Sequence, residues 1–363
     1  GSKKLPKIVP LNFDATDRLL IEPSVRRDTI TYWLRDTALV NQDTLSLSLT
    51  YEMTDTLGNL VSQTDTLQIL SKQPYEKRLK DAQKELESWK KQQEKKRKRG
   101  EAYDSVMPPK ELEFKLAMES KLDPDRNLRF EFDTPLASAD TSKIHLYAKH
   151  DTLWYVAPLR FEPVKQKMWG DSIATAESKR QYMLRAEWRP GIEYSLEIDS
   201  LAFTDIYGNA SRKLKKGFKV GAMDDYSSLV LNIAQLKGEN LVVELLTGED
   251  KAVKSVRTTN STAAFYYVRP GKYYARLFVD RNNNGVWDTG DYSANLQPEE
   301  VFYYPYEIEC KAKWDVTLNW NINEKPLDQQ KPEKIKKQKG ERQRKIQQRN
   351  MERARKMGIA YPF

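Results

Sequence analysis

The sequence predicts a mainly β protein: tandem β-sandwiches, interrupted by one charged helical arm and followed by a basic C-terminal tail. Three observations carry this reading. Apolar and polar residues alternate strictly in many short runs, as they do along a strand with one buried face. Those runs recur between turn-forming Gly, Pro and Asn without helices in between, which is the spacing of sandwiches rather than of βαβ units. A single stretch near residue 75 changes to a heptad rhythm instead.

The chain has 363 residues, enough for two or three domains at ~100–200 residues each. Hydrophobic residues make up 39% and aromatics 10%, sufficient for packed cores, while charged residues at 31% demand a large solvated surface. No window reaches the ~18–20 uninterrupted apolar residues of a membrane-spanning helix. Cys310 is the only cysteine and has no internal disulfide partner. With just two histidines beside it, a zinc site of the usual Cys/His kind is excluded. Gly1-Ser2 reads as a vector-derived leader, so a native N-terminus with its signal or lipid-anchor cysteine is expected to lie upstream.

Five segments are expected, at 1–70, 71–110, 111–222, 223–325 and 326–363. In the first, Leu45, Leu47, Leu49, Tyr51 and Met53 alternate with Thr, Ser and Glu, Gly58-Asn59 offers a turn, and Leu60 to Leu70 returns as a second strand. Ile30, Tyr32 and Leu34 mark a further strand upstream. After Pro74, Tyr75, Leu79, Ala82, Leu86 and Trp89 fall on one heptad seam, with polar and charged residues everywhere else. A helix from about Tyr75 to Arg97 is predicted, ending in the basic run Lys95-Lys96-Arg97-Lys98-Arg99, which suits the negative end of a helix dipole, and stopping at Gly100. So narrow a seam is expected to pack on its own domain.

Strands resume at Phe114, Leu116 and Met118, then at Leu128–Phe132, Ile144–Ala148, Tyr182–Trp188 and Tyr194–Ile198, with Pro190-Gly191 as a turn. From Tyr226 to about Ile322 a third β unit follows, with Leu229–Ile233 and Leu241–Leu246 as apolar strands. The tail from Pro326 is rich in Lys, Arg, Gln and Glu and shows no continuous apolar face.

Charge is unevenly placed. The net charge is +9, yet residues 331–356 alone hold twelve Lys/Arg against three Glu, and residues 71–100 twelve Lys/Arg against five acids. The rest of the chain is therefore mildly acidic, and the basic character belongs to two appendages. Lys95 to Arg99, with Lys336, Lys337, Arg353 and Arg355, are the candidate interaction residues for an anionic partner; a simply solvated helix face is the competing explanation.

Two stretches have a familiar look. Phe132-Asp133-Thr134-Pro135-Leu136, Trp188-Arg189-Pro190-Gly191 before Tyr194-Ser195-Leu196, and Phe203-Thr204-Asp205-Ile206-Tyr207-Gly208-Asn209-Ala210 together resemble the bacterial Ig-like domain of the S-layer (SbsA) type. That resemblance implies a seven-stranded type of sandwich, with Asp-x-x-Gly-Asn as a turn near its last strand. Phe265 to Pro270-Gly271, followed by Lys272 to Asp280, resembles a prealbumin-like sandwich. The combination resembles envelope lipoproteins of the Bacteroidota, which implies export and a lipid anchor and supplies no catalytic residues.

The sharpest local pattern is Asp280-Arg281-Asn282-Asn283-Asn284-Gly285-Val286-Trp287-Asp288-Thr289-Gly290-Asp291. Asp280, Asn282, Asn284, the Val286 carbonyl, Asp288 and Asp291 stand at the ligand positions of a calcium loop, with Gly285 where the chain must reverse. Asp291 stands where a bidentate Glu is usual, and the flanks read as strands. Asn283-Asn284-Gly285 also reads as a plain hairpin turn with Trp287 against the sandwich edge, so both readings stand.

Other motifs carry less. Gly170-Asp171-Ser172-Ile173 resembles an esterase block, but both histidines, His145 and His150, lie upstream of it in strand-like sequence, so it reads as coincidence. The acidic pairs Asp224-Asp225 and Glu299-Glu300 are too ordinary to indicate glycoside chemistry. The expectation is a non-enzymatic cell-envelope scaffold, in the periplasm or anchored at the outer membrane, that presents basic helical arms to an envelope protein, an anionic lipid or a glycan surface. The alternative is a carbohydrate- or ligand-binding module, favoured by an exposed aromatic row. An enzyme would need converging carboxylates. Nucleic acid is disfavoured because the basic runs lack interleaved aromatics and the resemblance implies export.

Overall fold

The computed structural model describes residues 5–14, 19–25, 29–42, 44–108, 110–167, 175–236, 238–292 and 294–336. The protein is mainly β, and its chain divides into two compact units at Met223/Asp224. The predicted alternation reappears as burial: Leu128–Phe132 reads buried, exposed, buried, exposed, buried.

The first part of unit 1 holds β1 (Lys7–Pro10), β2 (Leu19–Pro23), β3 (Ile30–Leu34), α1 (Thr37–Asn41), β4 (Thr44–Thr54) and β5 (Leu60–Leu70). β4 and β5 form one long hairpin in register from Thr44↔Leu70 to Thr54↔Leu60, and β1 pairs with β4 on its other side. β2 and β3 make a separate hairpin. The Asp36 carboxylate caps α1 by accepting the Ala38 N–H at 2.8 Å. Within described residues 5–70 only Leu39, Leu45 and Leu47 are fully buried, so this part has a thin core. It is tied to the next strands by Glu22, which accepts from Trp33 Nε1 and from Arg180 Nε, both at 2.9 Å, while the Arg180 guanidinium also lies over the Trp33 ring.

α2 (Tyr75–Lys98) follows directly, one residue longer than predicted. The expectation that its seam packs on its own domain is overturned. Tyr75 is 38%, Leu79 44% and Leu86 37% exposed, Ala82 is exposed as well, and only Trp89 is half-covered. The cause is local: the helix is held at its ends, where Arg78 Nη2 donates to the Val40 carbonyl and the Gln93 side chain accepts the Asp104 N–H at 3.0 Å.

The rest of unit 1 is a sandwich built from β6 (Phe114–Ala117), β7 (Lys121–Leu122), β8 (Leu128–Phe132), β9 (Leu136–Ala139), β10 (Ile144–His150), β11 (Leu153–Val156), β12 (Leu159–Lys167), β13 (Thr175–Ala186), β14 (Glu193–Ile198), β15 (Phe203–Asp205) and β16 (Leu214–Val220). One sheet runs β11-β10-β14-β16-β7 and the other β12-β13-β8-β6, with β15-β9 as a separate ribbon. That exceeds the seven strands the resemblance implied. Phe203 is the hub of the core, with its ring 5.0 Å from Phe132, 5.2 Å from Phe161 and 5.6 Å from Phe114. Trp188, Tyr194 and Phe218 form a second aromatic group, and the Tyr194 hydroxyl donates to the Glu187 carbonyl.

Unit 2 contains β17 (Ser227–Ala234), β18 (Leu241–Leu246), β19 (Ala252–Thr258), β20 (Thr262–Val268), β21 (Gly271–Val279), β22 (Val301–Tyr303), β23 (Ile308–Cys310), β24 (Asp315–Asn321) and α3 (Leu327–Gln330). β20-β17-β24 is one sheet, with β17 and β24 parallel. β19-β18-β21-β22 is the other, with β23 extending β21. Leu229, Leu231, Phe265, Leu277 and Trp320 fill the space between them. Cys310 is buried in β23, and burial raises its thiol pKa, as expected of an inert core residue.

The basic tail begins later than expected. Residues 326–336 are folded against unit 2: α3 is followed by a single turn of 3-10 helix at Glu333–Ile335, and Ile335 is buried with Leu246 and Tyr274. Gln330 is buried and fully used, donating to the Ile322 and Lys325 carbonyls and accepting the Tyr303 N–H. Two buried contacts outweigh the polar composition that had suggested a loose tail.

Candidate functional site

The connection from β21 to β22, residues 280–300, carries the predicted calcium loop, and it is far longer than the tight hairpin that was the competing reading. Asp280 directly follows β21 and is 1% exposed. Its Oδ1 accepts the Asn284 N–H at 2.9 Å and its Oδ2 the Gly285 N–H at 2.7 Å. Asn283 and Gly285 both take positive φ, at 55° and 76°, which explains why Asn and Gly occupy this reversal. Asn282 Oδ1 accepts the Asn284 N–H, and Asn284 Oδ1 accepts the Val286 N–H at 2.7 Å.

The side chains of Asn282, Asn284 and Asp288 then meet at one point. Asn282 Nδ2 and Asn284 Nδ2 donate to the same Asp288 Oδ2, at 2.7 and 2.6 Å. Asp280, Asn282, Asn284 and Asp288 are thus brought together. Val286 is 56% exposed, with its N–H turned to Asn284. Asp291 belongs to the next turn: it exchanges backbone bonds with Leu296, and its Oδ1 accepts the Ala294 N–H. Among the described residues no three His, Cys, Asp or Glu side chains are grouped to hold a metal ion.

Glu299 is the residue that the sequence reading passed over. It is buried, its Oε1 accepts the Arg281 N–H at 2.9 Å and its Oε2 the Asp288 N–H at 3.0 Å, while its carbonyl accepts from Trp287 Nε1. One carboxylate therefore clamps both ends of the loop. Its neighbour Glu300 is surface-exposed beside Arg281, so the two do not form an acid pair. No periodicity could have separated them, because their roles depend on a contact across a long connection.

A polar cavity of about 320 Å³ borders the loop, lined by Asn240, Arg257, Thr258, Asn260 and Asp280 among others. In unit 1 a depression of about 490 Å³ lies between β10 and β12, lined by Ile144, Leu146, Val156 and Phe161, with His145 and Glu162 in its lining. Each of these two cavities has a single carboxylate in its lining. His145 Nε2 sits 3.1 Å from Asp199, and His150 lies beside Asp151, so neither faces the other. The largest fully buried aromatics, Phe130, Phe132, Tyr194, Phe203, Phe265 and Trp320, belong to the cores. The exposed Trp154 and Tyr155 are neighbours on β11 and so point to opposite faces.

Lys95, Lys96, Arg97, Lys98 and Arg99 occupy the exposed C-terminal end of α2, as predicted. Lys98 pairs with Glu94 at 2.8 Å and the Arg97 guanidinium lies over the Tyr103 ring. No carboxylate of the described residues pairs with Lys90, Lys91, Lys95 or Lys96. Lys336 lies at the end of the folded segment, near Glu333. Lys337, Arg353 and Arg355 lie outside the described residues, as does the Gly170-Asp171-Ser172-Ile173 block. No helix among the described residues is long and apolar enough to cross a membrane.

No family model and no curated protein matches the chain. Among solved structures it is similar to native alpha-2-macroglobulin from Escherichia coli spanning domains MG0-NIE-MG1, at 14% identity over 53% of this chain and 71% of that one, with a TM-score of 0.25. It is also similar to the TIE protein of Bacillus anthracis, at 13% identity over 60% of this chain, with a TM-score of 0.18. The chain spans about two fifths of that second protein, 41% of its length. Neither likeness bears on function.

Proposed function

We propose that the chain is a non-enzymatic cell-envelope scaffold, exported and lipid-anchored as its sequence resemblance implies, whose β units hold a helical arm for a partner. One observation supports this above the others: α2 stands with Tyr75, Leu79, Ala82 and Leu86 of its apolar seam exposed, and Lys90, Lys91, Lys95 and Lys96 pair with no carboxylate of the described residues. An exposed seam on a regular helix is unusual unless something covers it, because water-facing Leu and Trp gain nothing for the fold. The test compares recovery of envelope proteins by the full chain and by a variant with Lys95, Lys96 and Arg97 changed to Glu. The same partner recovered in equal amount by both removes the arm from function.

A second reading, that the 280–288 loop takes Ca²⁺, is favoured by the meeting of Asn282, Asn284 and Asp288 at one point beside Asp280. A half-turn of either amide brings its oxygen to that point in place of its nitrogen. Asp280, Asn282, Asn284 and Asp288 would hold the ion, whose contribution is to cross-link the loop; Asp291 takes no part.

A further inference from the structure

We infer that α2 docks an amphipathic helix of a partner protein, with an apolar heptad seam and acidic flanks at the end that meets Lys90 to Arg99. This rests on the reading of α2 as the contact surface and names what that surface fits. The spacing sets the shape of the occupant. Leu79 and Leu86 take the a positions and Tyr75, Ala82 and Trp89 the d positions of two heptads, the geometry in which knobs of one helix enter holes of another. The apolar stripe covers about two-sevenths of the surface, the width of a helix–helix seam and too narrow for a helix lying in a bilayer. Its small Ala82 between Leu79 and Leu86 leaves a notch for a large side chain.

Charge sets the chemistry. The e and g positions that flank the seam are mixed in its first half (Glu76, Arg78, Gln83 and Glu85) and basic or neutral in its second (Lys90, Gln92, Arg97 and Arg99). Residues 71–100 carry twelve Lys/Arg against five acids, so a second copy alongside in parallel would set the basic second half against itself, and an antiparallel one would offer it only Glu76 and Glu85. An acidic helix instead offers carboxylates to Lys90 at an e position, which no carboxylate of the described residues pairs with, and to Arg97 and Arg99 beyond it, and such e/g contacts choose partner and orientation in helix pairs.

The experiment uses the full chain and three probes. One is a labelled four-heptad peptide with Leu at a and d and Glu at e and g; the second is its twin with Lys at e and g; the third is vesicles of phosphatidylcholine with one-third phosphatidylglycerol. The expected result is saturable binding of the Glu peptide, weakened at least tenfold by Leu79→Ser with Leu86→Ser and weakened again by salt, with the Lys peptide left unbound. Both leucines are exposed, so unchanged circular dichroism of the variant keeps the comparison valid. No binding of the Glu peptide, equal binding of both peptides, indifference to the leucine changes, or dimerisation of the chain through α2 overturns the inference. Vesicle binding without peptide binding overturns it while leaving the arm a contact surface. Equal envelope recovery by the Lys95/Lys96/Arg97 variant removes the arm altogether.

Discussion

Asp55 and Asp205 hold the same five-residue turn in two different parts of unit 1. Asp55 Oδ1 accepts the N–H groups of Leu57 and Asn59 at 2.9 and 2.8 Å; Asp205 Oδ1 accepts those of Tyr207 and Asn209 at the same two distances. In each turn the asparagine amide returns to the other carboxylate oxygen, and the glycine takes φ near +85°, 85° at Gly58 and 83° at Gly208. A single Asp satisfies the backbone that a strand reversal leaves unpaired, and Gly supplies the left-handed residue.

The two turns differ in depth, and that yields a prediction. Asp205 is 2% exposed and also accepts from the Thr134 hydroxyl at 2.8 Å, whereas Asp55 sits at an open hairpin tip. Asp205→Ala strands several donors in a buried place and is expected to cost about 2–3 kcal/mol. Asp55→Ala is expected to leave the main unfolding transition of unit 1 nearly where it was. Denaturant unfolding of the two variants measures both, and equal losses would contradict the burial difference.

These turns also show what the sequence could disclose. Gly58-Asn59 and the Asp205–Asn209 stretch were readable as turns, because their chemistry is local. The strands were readable for the same reason: period two at Leu128–Phe132 survives directly as burial, while in β4 it survives only at Leu45 and Leu47 and fades towards the exposed Met53. What failed was non-local. The exposure of the α2 seam depends on which neighbours are absent, and the docking of Ile335 depends on a gap beside Tyr274 that no polar, lysine-rich stretch advertises. In the loop after β21, Asp280, Asn282, Asn284 and Asp288 lie together and Asp291 belongs to the next turn, while the spacing overlooked Glu299, whose two side-chain hydrogen bonds come from residues eleven and eighteen positions away.

For α2 the exposed seam predicts low protection. A lone 24-residue helix with little tertiary cover relies on propensity and pairs such as Glu94–Lys98. Its mid-helix amides are expected to exchange with solvent on the order of 100-fold faster than those of β14, a central strand with Tyr194, Leu196 and Ile198 buried. Hydrogen exchange resolved by peptide reads this directly; equal protection would mean that something covers the helix.

The loop after β21 predicts a calcium response of modest size. A site with two carboxylates and two amides belongs with weak extracellular modules, so 10 mM Ca²⁺ is expected to stabilise unit 2 by about 1–3 kcal/mol. Asp288→Ala, which removes the oxygen that both amides address, should abolish that rise. No shift of the thermal midpoint at millimolar Ca²⁺ removes the metal and leaves the hydrogen bonds of Asp280, Asp288 and Glu299 as the loop's support.

Ile335→Ala is expected to release the folded end of the chain. The side chain is 1% exposed in a small satellite cluster with Leu246 and Tyr274, so the loss is on the order of 2 kcal/mol, at the low end for a core truncation. Because residues 326–336 are held at several other points, among them the Lys331–Asp250 ion pair at 2.7 Å, the readout is local: faster proteolysis after residue 326 with the sandwich transition retained.

The same segment is expected to loosen in acid. Glu307 receives the Lys272 ammonium at 2.6 Å, the Lys334 ammonium at 2.9 Å and the Tyr274 hydroxyl at 2.8 Å, and these three, Lys272 foremost, lower its pKa to about 2. Its folded value lies below the unfolded one of 4.5, so the carboxylate's stabilising contribution is complete above pH 4.5 and is lost as the pH falls from there towards 2. Neutralising Glu307 frees Lys334, the residue next to Ile335, and so links protonation to detachment of the 3-10 turn. Proteolytic release of the segment should therefore rise between pH 4.5 and 2. In Glu307→Gln it should already be raised at neutral pH and change little across that window. A wild-type response centred above pH 5, or one unaltered in the variant, would assign the acid sensitivity to another group.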